Sequence, residues 1–150
     1  MEKINERQAT EADREQIAAV FVDAFYIHWK QLSTDQEKIA NALKGSLCLE
    51  HFIVAERQGE VIGFLGYALG QQRAVKFVIK DFQQYFGFFK GYMVVMSIRN
   101  DFEKNLNLPD SCCYIDQLGV SSKHSGKGIA TALIQYLFDK NEYIHMQYTK

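Results

Sequence analysis

The segment from residue 118 to residue 131, LGVSSKHSGKGIAT, constrains the fold of this chain more than any other. A short apolar run predicts the end of a strand, and two glycines separated by a lysine lead from it into a helical pattern. Glycine lets a backbone approach a ligand closely, and the first N–H groups of a helix lie at the positive end of its dipole. A junction of this composition is therefore typical of a site for phosphate groups.

Three kinds of phosphate loop compete for this segment, and their spacing separates them. A Walker loop needs four residues between its first glycine and its Gly-Lys pair, with Ser or Thr next. Gly119 lies too far upstream for that, and Gly128 stands where the hydroxyl group should be. The dinucleotide fingerprint G-x-G-x-x-G meets Thr131 at its third glycine, and no βαβ unit with a ribose-binding acid follows. The first two kinds of loop therefore fit poorly.

The third kind of loop fits the spacing. Val120, five further residues and then Gly126-Lys127-Gly128-Ile129-Ala130 resemble the acetyl-CoA-binding motif of the GNAT superfamily of N-acetyltransferases. In that motif, a strand ending in Val precedes Gln/Arg-x-x-Gly-x-Gly/Ala at the start of a helix. Ser125 takes the Gln/Arg position, and Gly128 and Ala130 take the two required small positions. The alternative is a glycine turn that only joins a strand to a helix, since short motifs also occur by chance.

Composition limits what such a chain can be. The chain has 150 residues, of which 47% are hydrophobic, and this composition predicts one globular domain over residues 1–150. A formal net charge of −1 gives no basic field for nucleic acid. The N-terminal segment is too polar for a secretory signal, and charged residues interrupt the apolar region 77–98, so we expect no membrane partner. Three cysteines without a C-x-x-C pair predict reduced thiols, a cytoplasmic location and no metal site.

Periodicity places most of the helices and strands. Residues 10–13 resemble a capping box, which predicts the start of a first helix. A short strand is expected near residues 3–8 and a second helix over residues 34–46. Residues 51–69 predict a hairpin with its turn at Gln58-Gly59-Glu60. A further helix begins near Gly128, and residues 143–149 predict a closing strand. The inward residues of the first two helices are expected to be Ile17, Val20, Phe21, Ala24, Phe25, Ile39, Ala42 and Leu43.

Two features interrupt this regular order. An aromatic-rich insertion, residues 71–110, separates the hairpin from the next strand, and a connection of that length usually forms an element of its own or a lid. We expect one or two helices broken near Gly87 or Gly91, acting either as a lid over the acceptor or as a helical pair that completes the core.

In the strand CCYIDQLGV, Ile115, Leu118 and Val120 cannot share one face. The strand therefore has a β-bulge or is buried on both faces.

The order of these elements resembles the GNAT fold along the whole chain. The resemblance implies an α/β (α+β) fold: a central mixed sheet flanked by helices, with a helical insertion before the cofactor-binding strand. It also implies acetyl-CoA as the cofactor. Family members usually continue with a helix and a hairpin that carry the tyrosine acid for the leaving thiolate. Tyr143 and Tyr148 precede that position, so neither is assigned the role and a shortened carboxy terminus is expected. An open sheet edge would then favour homodimerisation, strand exchange or low stability.

The resemblance also implies roles for particular residues. The acetyl group would pass directly from CoA to an amine of a small molecule or peptide, which requires a neutral amine, an oxyanion donor and a proton for the thiolate. Asp116 is the candidate for the base, with a structural carboxylate as the alternative. The remaining candidates are Leu118, Gly119 and Val120 for the thioester and pantetheine, and Ser125, Gly126, Lys127, Gly128, Ile129 and Ala130 for the pyrophosphate.

Other residues have two interpretations. Tyr26, His28 and Trp29 follow the first helix, where the family builds its acceptor pocket, but Trp29 is equally consistent with packing between helices. His124 beside the phosphate loop is either drawn toward CoA or, as the base rate for polar residues favours, an exposed loop histidine.

Two other functions stay open from the sequence. One is a non-catalytic acyl-CoA-binding or regulatory domain, and the other is an interaction protein that uses the fold without a cofactor. An interaction protein would not bind acetyl-CoA, whereas an enzyme would. A non-catalytic acyl-CoA-binding domain would bind it but would not acetylate amines.

Overall fold

The structure, a computed structural model, describes residues 3–102 and 113–140, without the side chains of residues 28 and 100–102. Its strands are β1 (Asn5–Gln8), β2 (Phe52–Arg57), β3 (Glu60–Leu69) and β4 (Cys113–Val120). Its α-helices are α1 (Arg14–Ala24), α2 (Tyr26–Trp29), α3 (Gln36–Leu43), α4 (Ile79–Phe86), α5 (Phe88–Phe102) and α6 (Ile129–Lys140). The predicted closing strand, with Tyr143 and Tyr148, lies outside the described residues, as does Cys112.

The four strands form one sheet in the order β1-β2-β3-β4. Each described pair is antiparallel. The predicted hairpin of β2 and β3 is confirmed, and its turn places Gln58 and Gly59 at positive φ (53° and 81°), as a tight hairpin turn requires. The predicted class, α/β with a sheet flanked by helices, is confirmed. No parallel pair, which a mixed sheet would contain, occurs among the described strands.

The two faces of the sheet carry separate hydrophobic cores. Strand residues alternate in direction, so Phe52 and Val54 join the core beneath α1 and α3, while Ile53 and Ala55 join the core beneath α6. The predicted inward residues Ile39, Ala42 and Leu43 of α3 are fully buried. Strand β4 therefore lies between a helical layer on one face and α6 on the other.

The aromatic insertion forms two helices, α4 and α5, that break at Gly87, where φ is 93°. Phe77, Phe82, Val94 and Val95 are buried in the core of the α1 face. The insertion is therefore the core-completing helical pair that was one of the two predicted alternatives. Phe88, Phe89 and Met93 on α5 point outward, and Phe89 is 79% exposed. No helix within the described ranges is long and apolar enough to cross a membrane.

The start of α1 is fixed to β1 and β2 by a charged network. The Asp13 carboxylate is buried and accepts hydrogen bonds from the Arg7 guanidinium at 2.7 and 2.9 Å and from the Thr10 backbone N–H at 2.8 Å. Arg7 also donates to Glu56 on β2 at 2.8 Å. The hydrogen bonds from Arg7 lower the pKa of Asp13 from its ordinary value. The predicted capping box is confirmed, and Asp13 extends it into a link between helix and sheet.

Replacing Arg7 tests this link. We expect Arg7→Met to lower the free energy of unfolding at pH 7 by about 2 kcal/mol, because hydrogen bonds to a buried carboxylate are lost. Because the pKa of Asp13 is lowered in the folded state, its carboxylate stabilises the fold at pH values above the ordinary Asp pKa of about 4. This contribution disappears as the pH falls through the lowered pKa. Urea unfolding at pH 7 and at successively lower pH should therefore show the variant and the parent converging below about pH 4.

The matched control is Lys44→Met, which removes a cation whose partner, Glu15, is exposed. This control should change stability by less than about 0.5 kcal/mol. A loss in Arg7→Met that does not vary with pH would contradict the role assigned to the Asp13 carboxylate.

Candidate cofactor and acceptor site

Strand β4 contains an irregularity at its centre. Tyr67 of β3 pairs with Ile115, whereas the preceding residue, Gly66, pairs with Gln117. Asp116 is therefore an extra residue without a partner on β3, which is the definition of a β-bulge. The bulge, which was one of the two alternatives predicted from the mismatch of apolar positions, is confirmed. Downstream of it, the pairing is regular as far as Gly63 and Val120.

The side chain of Asp116 is held in the protein interior. It is 2% exposed and pairs with the guanidinium of Arg73, whose Nε donates to Oδ2 at 2.9 Å and whose Nη2 donates to Oδ1. The Ala74 backbone N–H donates to Oδ2 at 3.2 Å. A general base needs a lone pair within reach of the proton that it removes, and here both carboxylate oxygens already accept from Arg73. This arrangement favours the structural alternative for Asp116 over the role of base.

Glycines let both helical layers approach the sheet closely. A Cβ atom at Gly119 would lie 2.7 Å from the Phe64 ring and 3.0 Å from Cβ of Ala24 on α1. A Cβ atom at Gly63 would lie 3.0 Å from Ile129, the first residue of α6. Gly119 was predicted from the cofactor resemblance, and its close packing gives a second reason for glycine there. The neighbouring side chains, Leu118 and Val120, pack against the core on the α6 face.

The turn after β4 is tied to α1. Asp23 on α1 accepts from the Ser122 backbone N–H at 2.8 Å and from the Ser122 hydroxyl at 3.1 Å. The Ser121 N–H donates to the Ile62 carbonyl at 2.8 Å and so extends the pairing of β3 with β4. His124 lies in this turn and is only 6% exposed. The prediction of an exposed His124 is therefore wrong, because the short 3-10 turn Ser122–His124 folds its ring inward.

The predicted phosphate loop precedes α6 directly. Gly126 and Gly128 have positive φ (80° and 76°), and no atom lies within 4 Å of a Cβ built on either. Within the described residues, the backbone N–H groups of Gly126, Lys127 and Gly128 have no acceptor. Lys127 is exposed, and the Ser125 hydroxyl donates to the Ser122 carbonyl at 3.4 Å. The loop thus presents free N–H groups and one cation to solvent at the start of a 12-residue helix.

The predicted acceptor residues lie on the short helix α2. Trp29 is 1% exposed and contacts Phe21 in an edge-to-face arrangement with ring centroids 6.3 Å apart. It belongs to the core of the α1 face, which is the packing alternative. Tyr26 is half-buried, and the side chain of His28 lies outside the described residues. The structure therefore gives the acceptor assignment little support at Trp29.

A cavity of about 440 Å³ lies elsewhere, against the segment that follows β3. Residues 72–76 return along residues 46–48: the Cys48 N–H donates to the Ala74 carbonyl, and the Lys76 N–H donates to the Ser46 carbonyl, both at 2.8 Å. The cavity opens between these segments and is lined by Cys48, Glu50, His51, Gln71, Gln72, Arg73, Val75 and Lys76. Sequence reasoning missed it, because two separate segments without a motif form its walls.

The sequence matches the family model for the acetyltransferase (GNAT) family over residues 14–142. The chain belongs to the GNAT acetyltransferase family. The resemblance noted in the sequence is thereby confirmed. Acetyltransferases of this family take the acetyl group from acetyl-CoA, which is the cofactor that membership assigns. No protein of curated function matches the sequence significantly.

Solved structures resemble this GNAT chain in fold. An N-acetyltransferase from Staphylococcus aureus Mu50 superposes with a TM-score of 0.55 at 18% identity, over 92% of this chain and 76% of that one. The protein SsHAT superposes with a TM-score of 0.52 at 12% identity, over 97% of this chain and 78% of that one. A Brucella melitensis GNAT acetyltransferase, solved in complex with acetyl-CoA, gives 0.49 at 14% identity, over 92% and 68%. At such low identities, the first two superpositions show a shared fold and nothing further.

The GNAT cofactor fits the loop of this chain. Three consecutive N–H groups without acceptors, at the positive end of α6, suit the charge and size of a diphosphate. The absence of neighbouring atoms around Gly126 and Gly128 leaves room for a phosphate to reach the backbone. Among the described strands, β4 is at the sheet edge, so every second residue directs its backbone groups away from β3.

Removing the Asp116 carboxylate separates its two interpretations. If the carboxylate is structural, Asp116→Ala leaves the Arg73 guanidinium buried without its anion, and the free energy of unfolding should fall by on the order of 3 kcal/mol. Urea unfolding measures this. The control Asp139→Ala removes an exposed carboxylate on α6 and should change stability by less than about 0.5 kcal/mol. An Asp116→Ala protein of parental stability that had lost only turnover would restore the base assignment.

Proposed function

We propose that this protein is an acetyl-CoA-dependent N-acetyltransferase that moves an acetyl group directly to the amine of a small molecule or peptide. The observation that carries the proposal is the loop of free N–H groups at Gly126, Lys127 and Gly128, placed directly after a bulged edge strand at the start of α6. Membership of the GNAT family supplies the reaction class, and the nature of the amine acceptor is part of the proposal.

The residues of the chain divide the binding work between two regions. In this proposal, the loop from Ser125 to Ala130 binds the diphosphate through backbone N–H groups, with Lys127 adding a positive charge. Backbone groups of Leu118, Gly119 and Val120 bind the pantetheine, because β4 has one free edge in the described sheet. The hydrogen bond from the Ser122 backbone N–H to the Asp23 carboxylate fixes the loop relative to α1. Acetyl-CoA, when bound, supplies an activated acetyl carbon and a thiolate leaving group.

Asp116 has a positioning role in this scheme. Its ion pair with Arg73 fixes the bulge, and the bulge sets the direction of the backbone groups that follow it on β4. Fixed dipoles stabilise developing charge more effectively than mobile ones, because they need no reorganisation during the reaction. The carboxylate therefore contributes through the geometry of β4, and the base must come from another residue or from water.

Cofactor binding is the first test of the proposal. Acetyl-CoA or CoA at about a hundred times its dissociation constant should add roughly 2.7 kcal/mol to the folded state, which raises the melting temperature by several degrees. ATP, which lacks the pantetheine, should give a much smaller shift. Binding without turnover of any amine would instead support a non-catalytic acyl-CoA-binding domain. No shift with any of these ligands would contradict a cofactor site.

Two glycines form a matched pair that localises the site. Gly59 in the hairpin turn and Gly128 in the loop both have positive φ and open space around them. Alanine at either position should therefore cost a similar amount of stability, roughly 1 kcal/mol. Only Gly128→Ala should also weaken acetyl-CoA binding, by about tenfold or more, because the new methyl group occupies the approach to the backbone. Calorimetric titration of both variants measures this, and equal affinities would exclude the loop.

Two further expectations from the sequence stay predictions. They are a cytoplasmic location, from the cysteine content, and a homodimer formed through an open sheet edge.

A further inference from the structure

The cavity described above has the size of a small-molecule site. Its volume of about 440 Å³ lies within the range of ligand pockets in proteins. Its two walls differ in character: Glu50 and His51 come from the segment that leads into β2, and Arg73 and Lys76 come from the segment that follows β3. An amino acid is small enough to lie between these walls.

The cavity is adjacent to the reacting part of β4. Arg73 forms part of its wall and reaches Asp116, the bulge residue, with its guanidinium. Leu118, only two positions further along β4, is the first of the residues to which the proposed function assigns the pantetheine and thioester. The cavity is therefore linked through Arg73 to the bulge at the centre of the same strand.

One ring nitrogen of His51 is held by a hydrogen bond that defines the tautomer of the neutral ring. Its Nδ1 lies 3.0 Å from the Tyr67 carbonyl oxygen. Because a carbonyl oxygen can only accept, Nδ1 carries the hydrogen, and in the neutral ring the lone pair is on Nε2. His51 is 6% exposed and lines the cavity, so Nε2 is the atom that it offers to a ligand. The Tyr67 hydroxyl donates to the Glu50 carbonyl at 2.9 Å and steadies this wall.

The charges of the cavity select between kinds of amine. Arg73 is neutralised by Asp116, but within the described residues no counterion lies in salt-bridge range of Lys76 or of the Glu50 carboxylate. One cation, Lys76, and one anion, Glu50, come from the two segments that line the cavity and complement a molecule that carries both a carboxylate and an amine. A polyamine carries no carboxylate to pair with Lys76, and a second ammonium group near that lysine would bring like charges together, which disfavours binding.

We propose that this cavity is the acceptor site, that its acceptor is an amino acid or a similar compound with one amine and one carboxylate, and that His51 is the general base. The proposal rests on the proposed function. Lys76 binds the carboxylate, and Nε2 of His51 removes one proton from the ammonium group. The neutral nitrogen then bonds to the acetyl carbon, the carbon–sulfur bond breaks, and the thiolate takes the second proton that nitrogen loses, leaving an amide and a thiol.

A pair of acceptors tests the role of Lys76. Leucine and 3-methylbutylamine differ only in the carboxylate, so their kcat/KM ratio measures its recognition. We expect the parent protein to prefer leucine, and Lys76→Met to raise the KM for leucine by roughly tenfold with little change for the amine. The control Lys80→Met removes an exposed lysine outside the cavity and should keep the preference. An undiminished preference in Lys76→Met, or a parent protein that prefers the amine, would overturn the assignment.

His51 is tested by kinetics and by a measurement that needs no cofactor. His51→Gln keeps a donor for the Tyr67 carbonyl and should lower kcat by about 10²-fold or more, with acetyl-CoA affinity retained. His51→Ala should regain activity when imidazole is added. The chain has four histidines, so the His51 ring signal can be assigned by NMR from the spectrum of the His51→Gln variant.

Titration with leucine should shift the His51 signal in the parent protein and less so in Lys76→Met. If the signal does not move, the cavity is not the acceptor site, whether or not acetyl-CoA binds. If acetyl-CoA binds and amines are acetylated without dependence on His51 or Lys76, this inference fails and the proposed function stands. If acetyl-CoA does not bind, the proposed function fails by itself.

Discussion

The ion pair between Arg73 and Asp116 is the interaction on which the architecture of the site depends. It joins the segment after β3 to the centre of β4, across 43 residues of sequence. On β4 it fixes the bulge, and on the other side it fixes one wall of the cavity. A buried ion pair often contributes little net stability, because desolvation opposes the attraction between the charges. Its value here is geometric, since one contact sets the relative position of the strand and the cavity.

Close packing on both faces of the sheet supplies the second constraint. Because Gly119 has no side chain, α1 packs closely against β4, and because Gly63 has none, the start of α6 packs closely against β3. Because α6 begins where the sheet allows such an approach, the loop before it is held near the end of β4. Rigid elements position a functional loop more accurately than the loop can position itself. The loop at residues 125–130 can therefore keep free N–H groups without a hydrogen-bonded structure of its own.

The sequence predicted the parts of the protein that local pattern controls. Alternating residues identified the hairpin, helical spacing identified α1, α3 and α6, and the mismatch between Ile115 and Leu118 indicated the bulge. Each of these signals depends on residues close together in the chain. The position of Trp29 in the core matched only one of two alternatives, because a local pattern does not show which layer covers a helix.

Other features depend on contacts that no local pattern reports. Nothing in the segment around Arg73 indicates that it reaches Asp116, so the sequence cannot decide between the base that the family resemblance implies and a structural carboxylate. The burial of His124 and the pairing of residues 46–48 with 74–76 likewise arise from tertiary structure. Functional sites concentrate such contacts, since they are assembled from distant segments. The proposed cofactor loop is an exception, because its motif consists of consecutive residues.

The hydrogen bonds between Asp23 and Ser122 have a consequence for the order of folding. These residues are 99 positions apart, so the contact closes a long loop of the chain. Closing such a loop costs more entropy than forming the hairpin of β2 and β3, whose residues are neighbours. During synthesis, α1 must wait until β4 has left the ribosome before its Asp23 finds a partner in the turn. The proposed cofactor loop is consequently among the last parts of the protein to acquire its native surroundings.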